Sequence, residues 1–207
     1  MYDFDPDIVR SGGLFPSVPR DPREFYRGIL APMLARHAVL TKMQVRCSGR
    51  GLHGLLWIEP PVELKSAADQ QRWAGIVKVV QAALPIDPDQ PGITAVTRPV
   101  GSTNSKNGAI VELLNLGAPI TEQEVLVLYD EMRSAPFATV CKILTGETKV
   151  SPCPLCRQAN STLSALDQVG TCYGHCGKVK LEQLYDMVLA VRVAVDTETT
   201  DDATNKS

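Results

Sequence analysis

Four of the six cysteines fall within 24 residues, as Cys153-Pro-Leu-Cys156 and Cys172-Tyr-Gly-His175-Cys176. Tetrahedral Zn²⁺ takes four nitrogen or sulfur ligands at about 2.0–2.3 Å, and two short knuckles separated by a dozen or more residues supply them with little strain. The spacing predicts a closed structural zinc site held by Cys153, Cys156 and Cys172. Cys176 is the favoured fourth ligand, because Gly177-Lys178 follow it as in a zinc-ribbon knuckle, and His175 is the alternative. Such a metal contributes about 10 kcal/mol or more to local folding where a core is lacking. A site with four protein ligands has no open position for substrate, so chemistry has to be sought elsewhere. Besides acting as a clip, the cysteine-rich element offers Lys149, Arg157, Lys178 and Lys180 to nucleic acid.

Elsewhere three polar patches interrupt an otherwise ordinary apolar pattern: Asp3-Phe-Asp5-Pro, Ser48-Gly-Arg50-Gly-Leu-His53, and Asp87-Pro-Asp89 followed by Arg98-Pro-Val-Gly-Ser102-Thr-Asn104-Ser-Lys106. Alternate residues of a strand point to one face, so Asp3 and Asp5 could bind divalent cations together with a third carboxylate, Asp87 or its competitor Asp89. That is the arrangement of two-metal phosphoryl transfer. The glycine-rich turn before His53 would present backbone N–H groups to a triphosphate, with Arg50 and His53 as further partners.

These elements must be positioned by a fold. The start reads as the end of a strand stopped by Pro6. Asp21-Pro22 reads as an N-cap and first helical residue, with Pro32 expected to kink or break the helix. Two strands, Lys42 to Cys47 and Leu52 to Glu59, flank the turn at 48–51. Ser66 or Asp69 caps a helix running to about Leu84. Short strands are expected over Ile93 to Thr97 and Ala109 to Leu114. Thr121 with Glu124 forms a capping box for a helix ending near Met132, and a last helix is expected from Leu181 to Val195. Helices and hairpins without a regular βαβ period indicate an α+β fold. The division expected is a core over 1–148, a zinc ribbon over 149–180, a helix over 181–195 and a disordered tail over 196–207.

With these motifs in order, the chain resembles the archaeo-eukaryotic primase superfamily, especially its primase-polymerase branch. Members carry an acidic D-x-D motif at a strand end, an S-x-x-x-H-like motif in a hairpin, and a third acid before an R-x-P-G-S/T-x-N-x-K segment. DFDP, CSGRGLH and IDPDQPGITAVTRPVGSTNSK look like those blocks over roughly residues 1 to 115. The resemblance implies an RRM-like catalytic core performing template-directed nucleotidyl transfer as a DNA primase or primase-polymerase. It implies Mg²⁺ or Mn²⁺ on Asp3, Asp5 and Asp87, and His53 on the phosphates of the incoming nucleotide. Arg98 and Lys106 would line the nucleotide or template cleft, and the nucleotide-binding set becomes Ser48, Arg50, His53, Arg98, Ser102, Asn104 and Lys106. Single-stranded DNA and nucleoside triphosphates are the implied partners, with a replicative helicase as a further one. The chain departs from the pattern at Val100, which stands between Pro99 and Gly101, and in having only Met1 and Tyr2 before Asp3. The alternative is therefore a catalytically inactive, nucleic-acid-binding replication accessory with a structural zinc site.

Composition bounds these readings. At 207 residues, 44% hydrophobic and 21% charged, the chain can bury a sizeable core, which excludes wholesale disorder. The net charge of −2 comes partly from the tail; without the last twelve residues 20 basic residues face 19 acidic ones. A polycationic nucleic-acid coat is excluded, while a local basic cleft is not. Eleven aromatic residues disfavour a platform of many stacked rings. No apolar run has the length of a membrane span, the start lacks the pattern of a secretory signal, and clustered cysteines without such a signal suit a reducing compartment. The expected location is the cytoplasm, with no membrane partner.

Overall fold

A computed structural model of the chain describes residues 1–10, 14–15, 17–86, 92–94 and 96–189. The expected third carboxylates, Asp87 and Asp89, and the tail from 190 onward lie outside the described residues. The fold is α+β, with two four-stranded antiparallel sheets. The first has the order β1-β3-β2-β4, from β1 (Tyr2–Phe4), β2 (Gln44–Cys47), β3 (Leu52–Leu55) and β4 (Glu112–Asn115). The second runs β5-β6-β7-β8 in sequence order: β5 (Lys149–Val150), β6 (Thr162–Ala165), β7 (Gly170–Tyr173) and β8 (Gly177–Val179).

Alternation decides which face of the first sheet is dry. Tyr2, Phe4, Val45, Cys47 and Leu52 are all buried, and the register puts Tyr2 opposite Gly54 and Phe4 opposite Leu52. Directly paired residues share a face, so this set forms one apolar surface. It packs in a single core with Trp73, Ile76 and Val80 of α3 (Ala67–Gln81) and with Phe25, Leu30 and Met33 of the first helical run. The Tyr2 hydroxyl donates to the Val80 carbonyl at 3.2 Å and so ties the edge strand to that helix. A side chain at Gly54 would strike the Met43 sulfur at 2.4 Å, which is why this strand position is glycine.

The first helical run shows how Pro32 is accommodated. Asp21 caps α1 (Pro22–Phe25) by accepting from the N–H groups of Arg23 and Glu24. A π-helical turn (Tyr26–Leu30) follows, and α2 (Ala31–Leu34) completes the run. Ala31 donates to Tyr26, five residues back. The wider turn precedes a proline that has no N–H to give and whose ring would crowd an ordinary α-helical turn, so the run bulges without breaking.

Several elements differ in extent from what periodicity suggests. The described residues of 93–97 form no strand, and the Thr97 hydroxyl lies against a histidine of the sheet. The strand expected at Ala109 to Leu114 is β4, Glu112–Asn115, because Ile110 is taken by a bridge to Thr103 across a hairpin-like loop. β3 stops at Leu55, since Ile58 leaves the hairpin to pair with Ile120. Of the two candidate caps Ser66 is the one that starts α3, with Asp69 completing a box, and the expected box at Thr121 and Glu124 starts α4 (Glu122–Ser134); α3 ends at Gln81 and α4 passes Met132. A helix not anticipated, α5 (Pro136–Thr145), follows at once and buries Phe137, Val140, Ile143 and Leu144. The last helix, α6 (Leu181–Asp186), is shorter than expected. Leu189 leaves it to bridge Val9, with the Arg10 N–H donating to the Val188 carbonyl at 2.6 Å. Among the described residues no helix is long and apolar enough to cross a membrane.

The second sheet is welded to the first unit. Leu163, Val179, Leu184 and Val188 belong to the same hydrophobic cluster as Phe137. The Phe137 N–H donates to the Asp167 carbonyl at 3.0 Å, and the Gln168 amide donates to the Ser134 carbonyl at 2.8 Å. Gly170 lies where a Cβ would stand 2.5 Å from the Phe137 ring, itself fully buried and unable to yield. Gly170→Ala is therefore expected to lower stability by about 1–3 kcal/mol through overpacking, measured as a lower urea midpoint at an unchanged slope.

Candidate metal centre and polar sheet face

Two sites emerge, one of sulfur and one of mixed polar groups. In the second sheet, the Sγ atoms of Cys153, Cys156, Cys172 and Cys176 all lie within 4.8 Å of one another. Four sulfurs about 2.3 Å from a tetrahedral zinc are about 3.8 Å apart. The Cys156 and Cys172 sulfurs already stand at 3.8 Å. The converging group is the four-cysteine set, and His175 sits exposed in the turn between β7 and β8. The donor chemistry and spacing fit Zn²⁺.

Local hydrogen bonding shapes the first knuckle. The Cys153 N–H donates to the Ser161 carbonyl and hydroxyl, each at 3.1 Å, and the Arg157 N–H donates to the Cys153 carbonyl at 2.8 Å. Ser161 is fully buried, and its hydroxyl lies 3.4 Å from the Cys156 sulfur. That hydroxyl, with the N–H of Gln158, holds the Cys156 thiol down to about 6. Burial, and then the neighbouring sulfurs, push Cys176 up to about 12, and burial raises Cys153 as well. The thiols cannot all ionise side by side unless a cation neutralises them, which a divalent metal does.

The polar face lies on the first sheet, opposite its core face. Asp3 of β1 pairs with His53 of β3, His53 pairs with Arg46 of β2, and Arg46 pairs with Leu113 of β4. The row crosses all four strands, and its members project to the same side. His53 is only 7% exposed, and its Nδ1 is 3.1 Å from the Thr97 hydroxyl. Its Nε2 has no protein partner among the described residues. If Nδ1 accepts from Thr97, Nε2 carries the ring proton and can donate to a phosphate oxygen.

Arg46 was not singled out by motif, although its alternation with buried Val45 and Cys47 marked it for this face. Its Nε donates to the Gln44 side chain at 2.8 Å and one terminal nitrogen donates to the Arg98 carbonyl at 2.9 Å. Its guanidinium lies 5.8 Å from the ring centroid of Trp57, a contact of cation–π type that leaves the indole 47% exposed.

The turn and the long loop close against each other. The Asn104 side chain, 5% exposed, donates to the Ser48 carbonyl at 2.7 Å and accepts from the Lys106 N–H at 3.0 Å. Asn107 donates to the same Ser48 carbonyl at 3.3 Å. Gly49 has φ of +109°, and a Cβ there would meet the Asn107 amide at 2.5 Å, so conformation and space both require glycine. A Cβ at Gly51 would stand 3.0 Å from the Phe4 carbonyl oxygen and 3.8 Å from an Asp3 carboxylate oxygen. The turn thus rests on the acidic strand. Ser102 donates to the Pro99 carbonyl at 2.7 Å and Ser48 to the Gly51 carbonyl at 3.3 Å, so both hydroxyls brace the loops they belong to. Arg50 and Lys106 remain exposed at the rim.

Of the expected carboxylates, Asp3 is within the row, and Asp5 follows the strand end, where one of its oxygens accepts from the Asp7 N–H at 2.9 Å. Burial, opposed by the Asp3 charge and reinforced by Arg98 and Arg46, lowers the His53 pKa below its ordinary 6.5. Because the unfolded chain takes up this proton more readily, the stability that neutral His53 confers is present above pH ~6.5 and is lost as pH falls through the lowered native value. The thermal midpoint of the wild type is expected to drop more between pH ~7.5 and ~5.5 than that of His53→Gln; equal drops would refute the assignment.

No protein-family model, no curated protein and no solved structure matches the chain.

Proposed function

We propose that the chain is a primase-polymerase-like nucleotidyltransferase with an RRM-like core and a zinc ribbon, extending DNA on a single-stranded template from nucleoside triphosphates. One observation carries this reading: the Asp3–His53–Arg46 row, flanked by the glycine turn at 48–51 and the loop from Arg98 to Asn107. Two sequence blocks far apart in the chain thereby meet beside the acidic strand. β3 lies between β1 and β2, as in an RRM-like sheet whose first two strands are joined across a helix, while β4 adds at the β2 edge and not beside β1.

Each residue has a role in this reading. Asp3 and Asp5, with Asp87, would hold Mg²⁺ or Mn²⁺ through hard carboxylate oxygens. When bound, the ions supply activation of the 3′-hydroxyl and charge stabilisation of the pyrophosphate leaving group. His53 donates from Nε2 to a triphosphate oxygen. Arg46, fixed by Gln44, the Arg98 carbonyl and Trp57, holds its charge in place without reorganising. Arg98, Arg50 and Lys106 add positive potential around the polyphosphate.

The test is incorporation of labelled nucleotides on single-stranded DNA with Mg²⁺ or Mn²⁺, comparing wild type with Asp5→Ala and His53→Ala. Template-dependent product that disappears in both variants is the expected result. A folded, zinc-loaded wild type that binds single-stranded DNA without incorporating nucleotides would instead make the chain a non-catalytic replication accessory.

A further inference from the structure

A cavity of about 330 Å³ opens between the first cysteine knuckle, α6 and the turn after β1. Arg10 and Arg157 line it from opposite sides of the chain, with Gln183 and Asp186 as its other polar walls and Leu155 and Met187 as apolar ones. Neither guanidinium has a hydrogen-bond or ion-pair partner among the described residues, and neither is paired with Asp186 across the same cavity. Two unpaired arginines lining one pocket favour a bound anion, which both guanidinium groups can hydrogen-bond.

The backbone at both arginines is fixed by hydrogen bonds, while the two side chains are exposed. Arg10 follows the Val9–Leu189 bridge and is pinned by its N–H bond to Val188. Arg157 directly follows Cys156 and has φ of +54°, the one non-glycine residue in the left-handed region among the described residues. Its N–H returns to the Cys153 carbonyl, so its backbone is part of the knuckle.

We propose that this pocket binds one nucleotide unit of a single-stranded DNA, its phosphodiester between Arg10 and Arg157 and its base against Leu155 and Met187. The volume falls at the lower end of the range for ligand pockets. Two arginines and one aspartate leave a lining charge of +1, which matches a phosphodiester better than the dianion of a free mononucleotide. The free amide hydrogens of Gln183, whose side-chain oxygen is occupied by the Lys180 N–H, and the Asp186 carboxylate can hydrogen-bond a base edge. This deepens the nucleic-acid reading above by placing a second strand contact on the ribbon.

The experiment is fluorescence anisotropy of a labelled oligothymidylate with the full-length, zinc-loaded chain, without nucleoside triphosphates, across a salt series. The variant pairs Arg10→Ala with Arg157→Gly, because glycine keeps the positive φ while removing the guanidinium. Loss of this one phosphate contact is expected to make the log–log salt slope shallower by about 0.7 and to weaken binding more than tenfold at about 50 mM salt. Retained zinc content in the variant ties the loss to the pocket. Unchanged affinity and slope in the variant, with a wild type that binds and incorporates nucleotides, overturns the pocket alone. Displacement of the oligonucleotide by dTMP at comparable affinity overturns the strand assignment in favour of a free nucleotide, and a wild type that binds no DNA overturns both readings.

Discussion

Chelation of the metal, or Cys172→Ser, is expected to destabilise the protein more than any single apolar substitution in its core. Cys153, in the loop between β5 and β6, and Cys172 of β7 are both buried, and the sulfurs of the cluster lie within 4.8 Å of one another. Without the cation, burial and mutual repulsion force most of these thiols to stay protonated, and the coordination energy, on the order of 10 kcal/mol, is lost. Folding of the ribbon is coupled to the rest because Leu163 and Val179 share a core with Phe137 and Leu184. The loss should therefore spread to α5 and α6. Elemental analysis should find stoichiometric zinc in the wild type and its depletion in Cys172→Ser, with a lower thermal midpoint. Cys176→Ala should likewise lose zinc, whereas His175→Ala should keep it; the reverse pattern would exchange the fourth ligand. Full stability after complete chelation would show that the cluster is a set of reduced structural thiols.

Asp3→Ala is expected to lower nucleotide incorporation by about 10²-fold or more, the scale lost when one preorganised electrostatic partner of a transition state is removed. Asp3 stands on the polar face and contributes nothing to the apolar face formed by Tyr2 and Phe4, so the fold should survive its truncation. His53→Ala should reduce incorporation too, chiefly through weaker triphosphate binding, and so appear more in KM than in kcat. Arg46→Ala belongs in the same series, because its guanidinium is already braced by three neighbours. Undiminished product from Asp3→Ala would sink the proposed chemistry, whatever DNA binding remained.

Much of this arrangement was legible from residue types alone. The cap expected at Ser66 or Asp69 and the Thr121–Glu124 box mark helix starts because their hydrogen bonds are local; the structure makes Ser66 the cap, with Asp69 completing a second box. The four cysteines announce their convergence by spacing, since two short knuckles separated by a dozen or more residues supply four ligands with little strain. Helix α5 has a readable apolar face, Phe137, Val140, Cys141 and Leu144, but it follows α4 after one residue, Ala135, with no side-chain cap to mark its start. The expected strand at 93–97 failed for the opposite reason: a short apolar stretch looks extended in any setting, and only a free sheet edge makes it a strand.

By itself the sequence determined the α+β class, the helix caps, the tight turn at 48–51 and the four-sulfur cluster, all matters of local preference or short spacing. Tertiary structure alone decided that Asp3, His53 and Arg46 form one row, since strand order and register depend on which apolar faces find one another across 50 residues of intervening chain. It also decided that Asn104 reaches the Ser48 carbonyl, that Arg46 rests on Trp57, and that Arg10 and Arg157 line one pocket beside the knuckle. These are contacts between residues distant in sequence, and their geometry is set by the packing of whole elements against a shared core, which no local pattern encodes.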